Sequence, residues 1–431
     1  MTRRPDTGYV PALDGLRGVA ILMVMLHHFT RFRQTSGFDG PLLSLLAFCW
    51  TGVDLFFVLS GFLITGILLD TRGSERYFTT FYARRFLRIF PLYYLVLLLS
   101  FVVLPRFPAV FAVLAGQVDV PTEEQAGVPL ADQAGIAQWP YWLYLTNFSI
   151  ADNGWTHGLL DVGWSLAIEE QFYLIWPLVI WLCPPAFVAW LCTGIFMAEV
   201  FARSFGRASE MAVLPIYVVT WFRLDGLVIG SLLAVAWRRG IMPALDRLVP
   251  AVVIVGVAGL IVCAIEGGHP WWWNRRMQQF GYSLIAVTAG AMLVSAISRP
   301  ADSLWPRMLS AGWLRAFGKY SYALYLLHLP VMRAVREYVF NPWEFGALAP
   351  FLAQLLFYGA AIPAAFAVAW LSWRMFEAPI LSLKARFPYS TRGSPSWQTP
   401  HPGPEKSLGP APPLQDSSRL PRMGWRQGRR E

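Results

Sequence analysis

Apolar runs of about twenty residues, separated by polar or basic turns, recur along almost the whole of this 431-residue chain. An α-helix of about that length crosses the hydrocarbon core of a bilayer, and a helix satisfies its own backbone where no water is present. Candidate spans fall at roughly 13–32, 52–70, 88–106, 164–183, 186–203, 211–237, 247–266, 277–297, 317–340 and 347–375. The segment 139–150 is apolar and aromatic but short, and reads as interfacial or re-entrant. The expected fold class is all-α, a polytopic transmembrane helix bundle of about ten spans.

Composition argues against a soluble protein. Hydrophobic residues make up 56% of the chain, charged residues 14%, and mean hydropathy is +0.45, whereas a soluble domain carries nearer 25% charge. The formal net charge of +9 raises nucleic acid as a partner. However, the basic residues sit mostly at the ends of apolar segments and in the C-terminal part, as membrane anchoring requires. Membrane lipid is therefore expected as a partner, and nucleic acid is not. Cys49, Cys183, Cys192 and Cys263 lie in or beside apolar runs without metal-like spacing, which suits core packing rather than a disulfide or zinc site. No cleavable signal precedes the first run, so that run is expected to remain as a spanning helix.

Charge bias orients the chain. With the N-terminus (Arg3, Arg4) in the cytoplasm, the even-numbered spans end at 72–88, 184–185, 238–239, 299 and 384–386, and four of these five turns are basic. Arg275 and Arg276 dissent. A plasma (inner) membrane protein with both termini cytoplasmic is the economical expectation; were 139–150 also to cross, every later turn would change side. The membrane domain is expected over 1–387. Residues 388–431, rich in Pro, Ser, Gly and Arg, are expected to form a disordered cytoplasmic tail.

Ionisable groups near the centre of a span cost roughly 2.5–3.5 kcal/mol each, so they mark structure or chemistry. The first helix reads Leu13-Asp14-Gly15-Leu16-Arg17-Gly18 and ends in His27-His28. Arg17 and His28 are eleven residues apart, close to three turns, so they share a face about 16 Å apart along the axis. His27 is turned about 80° from that line. His28 is then a candidate general base or nucleophile, or else a histidine that bonds across the bundle. Asp14 stands one turn from Arg17 and can pair with it.

Other polar positions follow along the chain. Asp54 opens the second span, where a carboxylate suits the helix dipole, while Ser60 and Gly61 look like packing residues. Arg85 and Arg88 share a face and could grip phosphates; ordinary positive-inside anchoring is the alternative. Glu169 stands one turn from Ser165 and from Tyr173, with Glu170 beside it. One of the two glutamates is expected to face the bundle and the other to cap the helix. The stretch Leu224-Asp225-Gly226-Leu227 repeats residues 13–16 and suggests a second helix start with an Arg–Asp pair, and Gly226 and Gly230 form a small-residue pair. Ser321, Tyr325 and His328 fall near one face, and Glu377 closes the last span as a structural stop.

Taken in order, six segments resemble the acyltransferase 3 family of membrane O-acyltransferases. They are Leu-Asp-Gly-Leu-Arg-Gly with its later His28, Gly-Val-Asp-Leu-Phe-Phe-Val-Leu-Ser-Gly-Phe, Arg-Arg-Phe-Leu-Arg-Ile-Phe-Pro, Trp-Ser-Leu-Ala-Ile-Glu-Glu-Gln-Phe-Tyr, Tyr-Ser-Tyr-Ala-Leu-Tyr-Leu-Leu-His and Phe-Glu-Ala-Pro. The similarity runs from about Tyr9 to Leu383. It implies acyl-CoA as co-substrate, no tightly bound cofactor, and transfer of an acyl group, acetyl by expectation, to a hydroxyl of a cell-envelope glycan or lipid-linked saccharide. It also implies that Arg17 and His28 form the essential pair and that Arg85 and Arg88 form the family's Arg-x-x-Arg motif.

The expected catalytic set is thus His28, Arg17 and Glu169. The expected substrate-binding set is Arg85, Arg88, Glu170, Tyr173 and His328, and Asp14, Asp54 and Glu377 are expected to be structural. Only the short tail follows the last span, so the hydrolase-like domain that some family members carry is not expected here. Acylation of a macrolide-like metabolite is the rival within the enzyme class. A polytopic transporter is the rival outside it, although no internal repeat longer than four residues supports it.

Overall fold

A computed structural model describes residues 10–30, 45–46, 48–115, 137–155, 158–341 and 350–389. The regular elements among these residues are helical. The long ones are α1 (Pro11–Phe29), α2 (Gly52–Thr71), α3 (Tyr77–Leu98), α4 (Gly163–Leu182), α5 (Pro185–Ala208), α6 (Asp225–Arg238), α7 (Met242–Glu266), α8 (Tyr282–Ser298), α9 (Gly312–Tyr338) and α10 (Pro350–Ser372). All ten overlap the expected spans. The tail expected from 388 lies, beyond Tyr389, outside the described residues.

Seven of these helices, α1, α2, α3, α5, α7, α8 and α10, are long and apolar enough to cross a membrane by length and composition. The chain is a multi-pass membrane protein. The other three depart for physical reasons. Glu169, Glu170 and Gln171 interrupt α4, and Arg315, Lys319, His328 and Arg333 interrupt α9. The third, α6, has only 14 residues.

That last case corrects the continuous span expected over 211–237. The chain there forms Val213–Val218, leaves the helix at Val219, makes one 3-10 turn over Thr220–Phe222, and restarts at Asp225. The break lets two buried side chains reach partners: Arg223 donates to Asp54 Oδ1 at 2.7 Å, and Asp225 Oδ2 lies 3.2 Å from Arg203 Nη2. Glu199 closes the gap by accepting the Leu224 backbone N–H at 2.6 Å. Non-helical backbone at membrane depth is stable only when protein replaces water as its partner, as happens here. The Arg–Asp pair expected inside 223–225 is therefore replaced by two pairs to other helices. Asp54 stands in the first turn of α2, as the dipole reading expects, and also makes a cross-helix ion pair.

Segment 139–150 forms two short helices, Trp139–Trp142 and Thr146–Asn153, neither long enough to cross. They lean on α3 and α4: Tyr93 donates to the Tyr141 carbonyl at 2.8 Å, and Gln171 to the Tyr144 carbonyl at 2.9 Å.

The basic turns gather at one end of the bundle. Arg72 donates to the carbonyls of Trp181 and Cys183 at the end of α4, Arg238 pairs with Asp70, Arg299 with Asp246, and Arg84 donates to the carbonyls of Lys384 and Phe387. At the opposite end, the dissenting Arg276 is neutralised by Glu266 at 2.7 Å.

Glycines set the closest helix contacts. A Cβ on Gly318 would sit 1.8 Å from the Asp14 carbonyl oxygen, and one on Gly18 2.1 Å from that of Leu314, so α1 and α9 touch backbone to backbone. Gly61 and Gly230 do the same between α2 and α6. Two cysteines expected in the core, Cys192 and Cys263, are buried there.

Candidate active site

Helices α1, α2, α3, α4 and α9 line a cavity that is open on one side. The close α1–α9 contact brings Arg17 to its wall, and the Arg85/Arg88 face of α3 adds two more guanidiniums. Arg17 lies 3.5 Å from Asp14. Arg88 lies 3.8 Å from Glu377, which stands in the π-helical turn Trp373–Glu377 after α10. Arg85 stands over the rings of Phe81 and Tyr173 at 5.9 Å, and its Nε is buried without a hydrogen-bond partner. A guanidinium held by ring faces keeps its N–H donors for a ligand.

Beside Arg85, Glu169 Oε1 accepts from Ser60 at 2.9 Å and Oε2 from Tyr173 at 2.7 Å, and Tyr173 also donates to Ser60 at 3.0 Å. Glu169, Tyr173 and Ser60 all line the cavity. Ser60 thus has a polar task rather than a packing one. Neither glutamate caps α4, which begins at Gly163, more than a turn earlier. Glu170 Oε1 is buried without a hydrogen-bond partner in the structure.

At its far end the cavity stops at Val53, Phe56 and Tyr325. The Tyr325 hydroxyl bonds Ser165 Oγ at 2.5 Å and donates to the Val162 carbonyl at 3.0 Å, tying α9 to the start of α4. Beyond this wall stands His328, fully buried, with its Nε2 3.0 Å from His28 Nδ1. His28 therefore points into the bundle rather than toward lipid. It does not line the cavity, and the Tyr325 ring stands 6.0 Å from that of His328. His27 turns away, edge-on to Trp271 at 5.7 Å.

A profile of the acyltransferase domain family matches residues 10–374. The chain belongs to the acyltransferase 3 family. Among its acyltransferase relatives, the peptidoglycan O-acetyltransferase OatA of Listeria monocytogenes is 27% identical over 391 residues, covering 88% of this chain and 57% of the relative. The putative peptidoglycan O-acetyltransferase YrhL of Bacillus subtilis is 29% identical over 343 residues, covering 75% and 49%. The O-acetyltransferase OatA of Staphylococcus aureus is 27% identical over 354 residues, covering 77% and 52%. The chain thus spans about half the length of the curated acyltransferases it matches. No solved structure matches it significantly.

In this member of the family the structure brings Arg17, Arg85, Arg88, Glu169 and Tyr173 together around one cavity. His28 and His328 join each other behind its end. Three polar neighbours were not singled out from the sequence. Tyr322 lines the cavity and donates to the Ile89 carbonyl, with Arg88 5.7 Å from its ring. Arg84 and Lys384 join the basic end, where Lys384 lies in the field of Arg17, Arg84, Arg85 and Arg88. Tyr322 sits inside a motif already quoted, whereas Lys384 looks in sequence like any anchoring residue.

Proposed function

We propose that this chain is a membrane O-acyltransferase that moves an acyl group, acetyl in the first instance, from acyl-CoA to a hydroxyl of a cell-envelope glycan. The observation that carries the reading is the graded cavity: three guanidiniums at one end, and an imidazole pair just past the other. Phosphates suit the guanidinium end. The rise from Arg17 to His28 is about 16 Å, a span that the extended arm of a coenzyme can bridge. The glycan acceptor is supported by the peptidoglycan named for two of the relatives.

In the proposed reaction, His28 takes the proton of the acceptor hydroxyl as its oxygen attacks the thioester carbonyl. The C–O bond forms, the C–S bond breaks, and the imidazolium returns the proton to the departing thiolate. Arg85 and Arg88 hold the donor phosphates, and Arg17 joins them at the mouth. Glu169 and Tyr173, with Glu170 behind them, position the donor arm. Both termini lie in the cytoplasm in this reading, so donor enters at the basic end and acceptor at the other. For the arm to reach His28, the Phe56–Tyr325 wall must yield.

Membranes containing the protein, given labelled acetyl-CoA and glycan, are expected to form alkali-labile glycan ester. His28→Ala should insert equally and transfer none. Undiminished ester formation by that variant would remove His28 from the mechanism.

A further inference from the structure

His328 Nδ1 lies 2.8 Å from the Tyr325 carbonyl oxygen and 3.0 Å from that of Leu324. A carbonyl oxygen only accepts, so this nitrogen carries a hydrogen. A second proton, on Nε2, would create a charge in a fully buried site where no carboxylate contacts the ring among the described residues. His328 Nε2 therefore holds a lone pair. That lone pair faces His28 Nδ1 at 3.0 Å, and the same Nδ1 is 3.0 Å from the Val24 carbonyl oxygen. Two acceptors therefore face His28 Nδ1.

We infer that His28 is held as its Nδ1–H tautomer, with the lone pair on Nε2, and that His328 is the positioning residue that holds it there. The helix carbonyls of α9 fix the His328 ring, His328 fixes the His28 ring, and the lone pair that takes a proton is on Nε2 of His28. The same line serves the step that follows. Once Nε2 is protonated, the new charge is shared through the Nδ1–H···Nε2 bond and ends at carbonyl dipoles rather than at a buried acid. The catalytic consequence rests on the acyltransferase reading, but the tautomer belongs to the resting protein.

The test is nitrogen-15 NMR of histidine-labelled protein in lipid bilayers. The chain has six histidines, few enough to assign by single substitutions. The expected spectrum shows a protonated Nδ1 and bare Nε2 on His28, and a scalar coupling across the hydrogen bond to a bare His328 Nε2. A protonated His28 Nε2, or a protonated His328 Nε2, overturns the inference. In parallel, His328→Leu should lower kcat by about 100-fold, the lower end of what a placed base contributes, without moving the donor KM. His328→Gln, whose side-chain oxygen can accept the same hydrogen, should recover most of that loss. Wild-type kcat in His328→Leu would remove the positioning role. Should His328→Leu fail to fold, the wild-type spectrum still decides the tautomer. If the coupling is present but the wild-type protein transfers no acyl group, the tautomer stands and the acyltransferase reading falls.

Discussion

Arg223 of the broken sixth span donates to Asp54 of α2 at 2.7 Å, and neither side chain is exposed at all. Around this pair Arg203 meets Asp225, Glu199 stands close by, and the Arg223 guanidinium is 4.2 Å from the Tyr282 ring centre. Removing one partner of a buried pair strands the other charge and typically costs 3–5 kcal/mol. Asp54→Ala should therefore destabilise the protein by roughly that amount. Arg223→Met should be worse, because it leaves three carboxylates facing Arg203 alone. Thermal unfolding in detergent measures both. Asp54 does not line the cavity, so the folded fraction of Asp54→Asn should keep its donor KM. An unchanged unfolding midpoint in Asp54→Ala would contradict the structural role.

Two glycines of α9 predict opposite outcomes. A Cβ on Gly318 would overlap the Asp14 carbonyl, whereas one on Gly312 would meet nothing within 4 Å. Gly318→Ala must push α1 from α9, costing about 1–3 kcal/mol and shifting Arg17 at the cavity wall. Gly312→Ala adds no clash and removes backbone freedom from the unfolded chain, a gain of roughly 0.4–1 kcal/mol. Equal melting temperatures for the two variants would mean that α1 and α9 are not in backbone contact.

What the sequence disclosed depends on whether the information is local. Apolar runs near twenty residues located all ten long helices, because length and hydropathy are local. The Arg17-to-His28 face and the Ser321–Tyr325–His328 stripe were likewise readable from helical period. Pairings between helices were not. Asp54 read only as a dipole partner because its ion-pair partner is 169 positions away, and His328 gave no sign of its bond to His28. The break at Val219 was hidden for a related reason: a hydropathy window averages through Arg223 and Asp225 without showing that each needs an acid or a base from another helix.

Lys384 offers the sharpest test of the basic end. It stands among Arg17, Arg84, Arg85 and Arg88, and Glu377 is engaged with Arg88. Burial and the four guanidiniums all disfavour the Lys384 ammonium, and an anion favours it when it binds. Lys384→Met should therefore do two things of opposite sign. Without donor it should raise the unfolding temperature slightly, since the disfavoured ammonium is gone. With donor it should bind less tightly: a hydrogen bond to a charged group is worth about 1.5–3 kcal/mol, so the KM for acyl-CoA should rise roughly 10- to 100-fold while kcat changes little. The wild-type KM should also climb with ionic strength, because exposed charges are screened beyond about 10 Å at 0.1 M salt, and the variant should respond less. A variant that loses stability without donor and keeps its KM would show Lys384 to be a structural prop, with the phosphate site elsewhere.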